Sequence, residues 1–173
     1  ETGGLNAMIA DSSALPEQIV RDAVRSAFDS AGQRCSAARV LFVQSEIADR
    51  TIAMLAGATS ALDVGDPMDY ATDIGPVIDE TAQDTLEGHK LRMQREGREI
   101  VDVTLPTATR VGSFVGPAAF EIDRIDRHRH VGRVLAARQV ELLVRADAEA
   151  VGDVAPFLER ILGPVAIGPP DID

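Results

Sequence analysis

One residue in this chain has chemistry that the others cannot supply. Cys35 is the single cysteine among 173 residues, set in Ala31–Gly32–Gln33–Arg34–Cys35–Ser36–Ala37. A strongly periodic helix precedes that stretch and an apolar strand follows it. The cysteine therefore falls on a connection, where side chains meet ligands more often than they fill a core. A thiol is a nucleophile only as its thiolate, which cations and helix N-termini favour. Arg34 is next in the chain, although adjacent side chains need not face one another. The plainer reading is that a lone cysteine packs as a small, inert core hydrophobe. His128–Arg129–His130 offers a second candidate, two imidazoles spaced to share a metal on a strand, but no third ligand stands near at convincing spacing. The basic run from Arg124 to Arg133 then reads as solvated surface.

The elements that must position the cysteine follow from periodicity. Leu5–Asn6–Ala7–Met8–Ile9–Ala10 is a short, mostly apolar run, expected as a buried strand. Asp11, Ser12 and Ser13 end it and offer helix caps, and Pro16 suits a first helical turn. Ile19, Val20, Ala23, Val24, Ala27, Phe28 and Ala31 recur at helical spacing, so a helix is expected to run until Gly32 stops it. Arg39–Val40–Leu41–Phe42–Val43 reads as a strand, and Ser45 as the cap of a helix ending near Gly57. This rhythm predicts an α/β fold, a mainly parallel sheet flanked by helices. The usual ligand edge of such sheets is the one formed by the loops after the strands' carboxyl ends.

Leu62 to Ile78 is a long loop rich in Gly, Pro and Asp, of a length that is functional or bridges layers. Glu80 to Arg95 reads as a polar helix weakened by Gly88, and Glu99–Val103 and Ala118–Ile122 read as strands. Val134 to Val144 reads as either a helix or a strand, its pattern fitting neither template cleanly, and Val151 to Leu162 suggests a helix begun or broken by Pro156.

Composition narrows the function. The formal charge of −11 repels phosphate backbones, which argues against nucleic acid as a partner. Aromatic residues make up 3%, with no Trp, too few for base-stacking or sugar platforms. A single cysteine forms no internal disulfide and no secretory signal is recognisable, so a reducing cytoplasm is the expected compartment. No apolar run approaches the ~20 residues of a membrane span. The length fits one domain or a large piece of one. Glu1–Thr2–Gly3–Gly4, without an initiator Met, reads as the interior of a longer polypeptide.

Glu1–Thr2–Gly3–Gly4–Leu5–Asn6 and Gly32–Gln33–Arg34–Cys35–Ser36–Ala37 stand in a telling order, with Glu1 and Cys35 separated by 35 − 1 = 34 positions. The pair resembles two signatures of the aldehyde dehydrogenase superfamily, Glu-Leu-Gly-Gly with its general base and Gly-Gln-x-Cys with its nucleophile. Gly65–Asp66–Pro67 with Thr72–Asp73–Ile74–Gly75–Pro76–Val77–Ile78 is similar to a third, Gly-Asp-Pro…Asp-x-Gly-Pro. Thr2 in place of Leu, Asn6–Ala7–Met8–Ile9 and Ser26–Ala27–Phe28 narrow the likeness to the aldehyde dehydrogenase module of bacterial proline-utilization proteins, over about residues 1–127.

That resemblance implies NAD-dependent oxidation of glutamate semialdehyde, the open form of pyrroline-5-carboxylate, to glutamate. It implies that a Cys35 thiolate attacks the aldehyde carbon and that the Cys35 backbone N–H helps hold the resulting oxyanion. Glu1 would polarise the water that hydrolyses the thioester, and Ser36 would contact the substrate carboxylate. The 65–78 segment is structural in the family.

Two departures qualify the likeness. In the family the portion before the glutamate motif holds most of the dinucleotide-binding domain, and no Gly-x-Gly-x-x-Gly loop replaces it here. After Ile125–Asp126 the family continues with Glu-x-Phe-Gly-Pro-Val, whereas this chain reads His128–Arg129–His130–Val131–Gly132–Arg133, with a faint echo at Leu162–Gly163–Pro164–Val165. The expected organisation is a partial catalytic domain over 1–127 and an unrecognised tail, divergent or of shifted reading frame, over 128–173. The isolated chain is then expected to be inactive, Glu1 to be a solvated terminus, and exposed sheet edges to favour homo-oligomers. The competing class is an inert remnant or a protein-interaction module reusing the sheet.

Overall fold

Val40–Leu41–Phe42–Val43 is a continuous β-branched and apolar run, the pattern of a parallel strand covered on both faces. In the computed structural model, which describes residues 6–122 and the backbone of 140–146, this run forms β2 (Val40–Gln44), buried along its whole length. β1 (Ala7–Ala10) lies parallel to it, with Ala7 opposite Val40 and Ala10 opposite Val43. On the other side β2 pairs in parallel with β5 (Val140–Ala146), Val40 opposite Leu142. β5 in turn pairs in parallel with β4 (Ala118–Ile122), and β3 (Arg98–Asp102) closes the far edge antiparallel to β4. The order is β1-β2-β5-β4-β3. The expected α/β fold with a mainly parallel sheet is the one observed.

The centre of the sheet thus comes from the segment that the sequence left open between helix and strand. Glu141 and Arg145 interrupt its apolar run, which blurs the signal of a central strand. Glu1, His128–Arg129–His130 and the suggested helix over 151–162 lie outside the described residues.

Among the described residues three α-helices accompany the sheet. α1 (Pro16–Phe28) begins at its proline as expected, but its N-cap is Leu15, which makes no side-chain cap bond. Asp11 and Ser13 close on each other instead: the Ser13 backbone N–H and hydroxyl both donate to Asp11 Oδ1, at 2.8 and 2.6 Å. α2 (Ser45–Ser60) takes Ser45 as its first helical residue rather than its cap and continues through Gly57. α3 (Glu80–Glu96) is capped by Asp79, which accepts from the Ala82 N–H at 2.7 Å, and it runs through Gly88.

Two core clusters matter for the site. Leu41 and Val43 pack with Ile19, Val20 and Ala23 of α1 and Ile52 and Leu55 of α2. A second cluster joins Phe28, Ala31 and Ala38 around the cysteine stretch to Val64, Ile74 and Val77 of the long loop, Leu86 of α3, and Phe114 and Val115. This second cluster is the floor beneath the candidate site. Among the described residues no helix is long and apolar enough to cross a membrane.

Candidate functional site

The stretch around Cys35 departs from the helix expected there. α1 ends at Phe28, and Ser30, Ala31 and Gly32 all take positive φ, at 58°, 54° and 62°. A left-handed backbone costs roughly 1–2 kcal/mol at each non-glycine residue, and only Gly32 takes it freely. The burial of Ala31 and Phe28 in the second cluster holds the conformation. The chain then reverses in a turn closed by the Ala37 N–H donating to the Arg34 carbonyl at 3.2 Å. Cys35 and Ser36 are its two central residues, and both are exposed. The core-hydrophobe reading of the lone cysteine is therefore overturned: its thiol is free and faces solvent.

Neighbours fix this turn from several directions. Asn6, immediately before β1, donates its side-chain amide to the Cys35 carbonyl at 2.6 Å and to the Ala37 carbonyl at 3.0 Å. Arg39, immediately before β2 and only 4% exposed, donates to the carbonyls of Gly32 (3.2 Å), Arg34 (3.3 Å) and Ala38 (3.1 Å). The Arg34 side chain turns toward the last turn of α1, where its guanidinium donates to the Arg25 carbonyl at 3.0 Å, a favourable place for a cation. Ser36 lines a shallow cleft of about 290 Å³ with Asp22, Arg25, Ser26, Asp29 and Arg34. Two guanidiniums and two carboxylates thus face the cleft beside the thiol.

The motif at 65–78 is a brace for the same turn. The Gln33 side chain accepts from the Ile78 N–H at 2.8 Å and donates to the Pro76 carbonyl at 3.4 Å. The loop that carries these groups is closed at its base by Val64 and Ile74, which form a parallel bridge. It is also folded on itself by Asp66, which accepts from the Met68 N–H at 2.9 Å, and by Asp73, which accepts from the Asp63 N–H at 2.9 Å. Gly75 lies against Pro67, so closely that a Cβ there would touch the proline ring at 3.4 Å. The Gly-Asp-Pro and Asp-x-Gly-Pro parts are thereby two halves of one packed loop.

Because it leads into β2, the Cys35 turn sits with Asn6 at the amino ends of the parallel strands β1 and β2. It is not at the carboxyl edge that parallel sheets ordinarily offer to ligands. Sequence reasoning named Cys35 and Ser36 and missed Asn6 and Arg39. The available signal was a polar residue directly ahead of each apolar strand, at neighbouring register positions. Among the described residues no cluster of three or more His, Cys, Asp or Glu is arranged to hold a metal.

The family model for the aldehyde dehydrogenase family matches residues 1–128. The chain belongs to the aldehyde dehydrogenase family. Among its relatives, the bifunctional protein PutA of Klebsiella aerogenes is 50% identical over 131 residues, covering 73% of this chain and 10% of that protein. A 1-pyrroline-5-carboxylate dehydrogenase of Geobacillus kaustophilus is 32% identical over 140 residues, covering 79% of this chain and 27% of that one. The crystal structure of a variant of Bradyrhizobium japonicum proline utilization A superposes with a TM-score of 0.81 at 46% identity, covering 93% of this chain and 16% of that chain. This aldehyde dehydrogenase chain thus spans about a tenth of the curated PutA relative. The overlap with the solved protein extends past residue 127, in keeping with the place of β5 in the sheet.

Proposed function

We propose that the chain is the nucleophile-bearing part of an L-glutamate γ-semialdehyde dehydrogenase module, which oxidises the semialdehyde to glutamate in proline catabolism. The observation that carries this reading is the exposed thiol of Cys35 at the tip of a turn fixed by side chains that immediately precede two strands. Membership of the family and likeness to PutA supply the substrate class.

In this reading the Cys35 thiolate adds to the aldehyde carbon and the carbonyl oxygen becomes an oxyanion beside the turn. Ser36 and the arginine-bearing cleft next to it receive the substrate carboxylate. Glu1 activates the water that later releases glutamate from the thioester. It stands five residues before Asn6 in the chain, so covalent reach keeps it within about 18 Å of a residue bonded to the Cys35 carbonyl. The oxidation between those steps requires NAD as hydride acceptor. The glycine-rich loop does not fit a dinucleotide's phosphates: its Asp63 and Met68 N–H groups are taken by its own aspartates, and Pro67 lies against Gly75. No step of the hydride transfer is assigned to this chain. The catalytic portion is taken as residues 1–127 together with β5, the protein as cytoplasmic, and the chain by itself as inactive.

The test is to splice residues 1–128 in place of the matching segment of Klebsiella aerogenes PutA and to follow NADH formation from glutamate semialdehyde. Turnover is expected, with none after Cys35→Ala. Glu1→Gln is expected to give about one NADH per site and then stall at the thioester. Turnover that survives Cys35→Ala would remove the nucleophile from this reading, and a folded, inactive splice would leave the chain as an inert remnant.

A further inference from the structure

We infer that Asn6 and Arg39 are positioning residues for Cys35, a carbonyl clamp that fixes the two peptide planes flanking it. The inference deepens the reading of Cys35 as nucleophile and rests on it. The direction of a Cα–Cβ bond is set by φ and ψ of its residue, the rotations between the peptide planes on either side. For Cys35 these planes carry the Arg34 carbonyl with the Cys35 N–H, and the Cys35 carbonyl with the Ser36 N–H. Arg39 and the Ala37 N–H hold the Arg34 oxygen, at 3.3 and 3.2 Å. Asn6 holds the Cys35 oxygen, at 2.6 Å. Both planes are pinned, so the thiol-bearing bond is aimed.

The amide orientation of Asn6 follows from its partners. Both groups at Nδ2 are carbonyl oxygens, of Cys35 and Ala37, so a flipped amide would set oxygen against oxygen. One NH₂ spends its two protons on the two carbonyls. Arg39 supplies a charged, forked donor, and bonds from a buried guanidinium are stronger and more directional than neutral ones. The clamp is joined to the sheet itself: the backbone N–H groups of Arg39 and Val40 both donate to the Asn6 carbonyl, at 2.9 and 3.2 Å.

The clamp also orients the group that the chemistry needs. No peptide among the described residues is cis. In a trans peptide C=O and N–H point in opposite directions. With the Arg34 carbonyl turned inward to Arg39, the Cys35 N–H is aimed outward, on the side where a substrate oxyanion would develop. Asn6 and Arg39 touch no substrate atom; they act through the turn.

The experiment uses the 173-residue chain with a nitroxide on Cys35, its only cysteine, and reads the label's mobility at 20 °C alongside the thermal melt. The unaltered chain is expected to give a restricted spectrum. Asn6→Asp is nearly isosteric but presents acceptors to two carbonyls, so it is expected to move at least half of the signal into a mobile component while the chain stays folded. Asn6→Ser keeps one donor and is expected to fall between; it decides the matter should Asn6→Asp not fold. A folded Asn6→Asp or Asn6→Ser chain with the unaltered spectrum overturns the clamp.

In the spliced PutA, Asn6→Asp is expected to lower kcat 10- to 100-fold with KM changed less than threefold, as misplacement of a reacting group does. An active splice whose kcat ignores Asn6→Asp refutes the clamp alone. A splice indifferent to Cys35→Ala refutes the nucleophile, while the label still reports whether the turn is held.

Discussion

Replacing Gly116 by Ala tests the packing that brings β3 and β4 together at the sheet edge remote from β1. A methyl at Gly116 would overlap the Val103 carbonyl oxygen, lie 3.2 Å from that residue's carbonyl carbon, and approach the Lys90 Nζ to 3.8 Å. Backbone blocks it on the nearest side, so no rotamer change can make room. The strands must separate, and separation stretches the bond from the Val103 N–H to the Pro117 carbonyl, now 3.0 Å. Overpacking of this kind costs about 3 kcal/mol and a lost backbone bond about 1 kcal/mol. The sum of about 4 kcal/mol is a large share of a domain's 5–15 kcal/mol and lowers Tm by about 8–16 °C at this size.

Gly57→Ala and Gly88→Ala are the internal controls. Both glycines are exposed inside helices, and a Cβ at either meets nothing within 4 Å. Each is expected to gain about 0.5–1 kcal/mol from helix propensity. Urea unfolding followed by far-UV circular dichroism reads all three. A Gly116→Ala loss below about 1 kcal/mol, or a loss at the two helical positions equal to it, would refute the reasoning.

Lys90→Met should cost about 3 kcal/mol, because Lys90 Nζ meets Asp102 Oδ1 at 2.6 Å with side-chain exposures of 9% and 22%, and removal of one partner strands the other; chemical denaturation of this variant and of Lys90→Met/Asp102→Leu, expected to recover most of the loss, measures it. Asp79→Ala removes the cap on α3 and should lower stability by about 1 kcal/mol in the same assay. The Ser13 hydroxyl, then its backbone N–H, hold the Asp11 carboxyl below its ordinary 3.8. A depressed carboxyl contributes stability above its unfolded value and loses it as pH falls through the folded one, so Ser13→Ala should move the Asp11 carboxyl carbon's NMR titration upward toward 3.8.

What was legible in the sequence followed periodicity. The helical spacing of Ile19, Val20, Ala23 and Phe28 and the apolar run of β2 both survive in the fold because burial demands them. The end of α1 was not legible. Ala31 sits at positive φ because the second core cluster buries it, and nothing in an Asp-Ser-Ala sequence announces a left-handed turn. Asn6 and Arg39 were hidden for a related reason. Each begins an apolar run and reads as a polar end of a strand, while Asn6 acts on the Cys35 carbonyl 29 positions on and Arg39 folds back on the Gly32 and Arg34 carbonyls. β5 was obscured by its two charges, although its place between β2 and β4 depends on backbone pairing.

The spacing of the two motifs has a physical origin in this topology. β1 and β2 are parallel neighbours with Ala7 opposite Val40, 40 − 7 = 33 positions apart. Parallel neighbours require a crossover, and α1 supplies it over one face of the sheet. Residues just ahead of the two strands must then meet at one sheet end, as Asn6 and Arg39 do. The interval between the glutamate motif and the cysteine motif is therefore the repeat from the start of one strand, through its helix, to the start of the next. A chain that keeps α1 and the register of β1 on β2 keeps the Cys35 turn beside the residues that follow Glu1. One residue of slip in that register would exchange the faces of β1 and withdraw Asn6 from the Cys35 carbonyl.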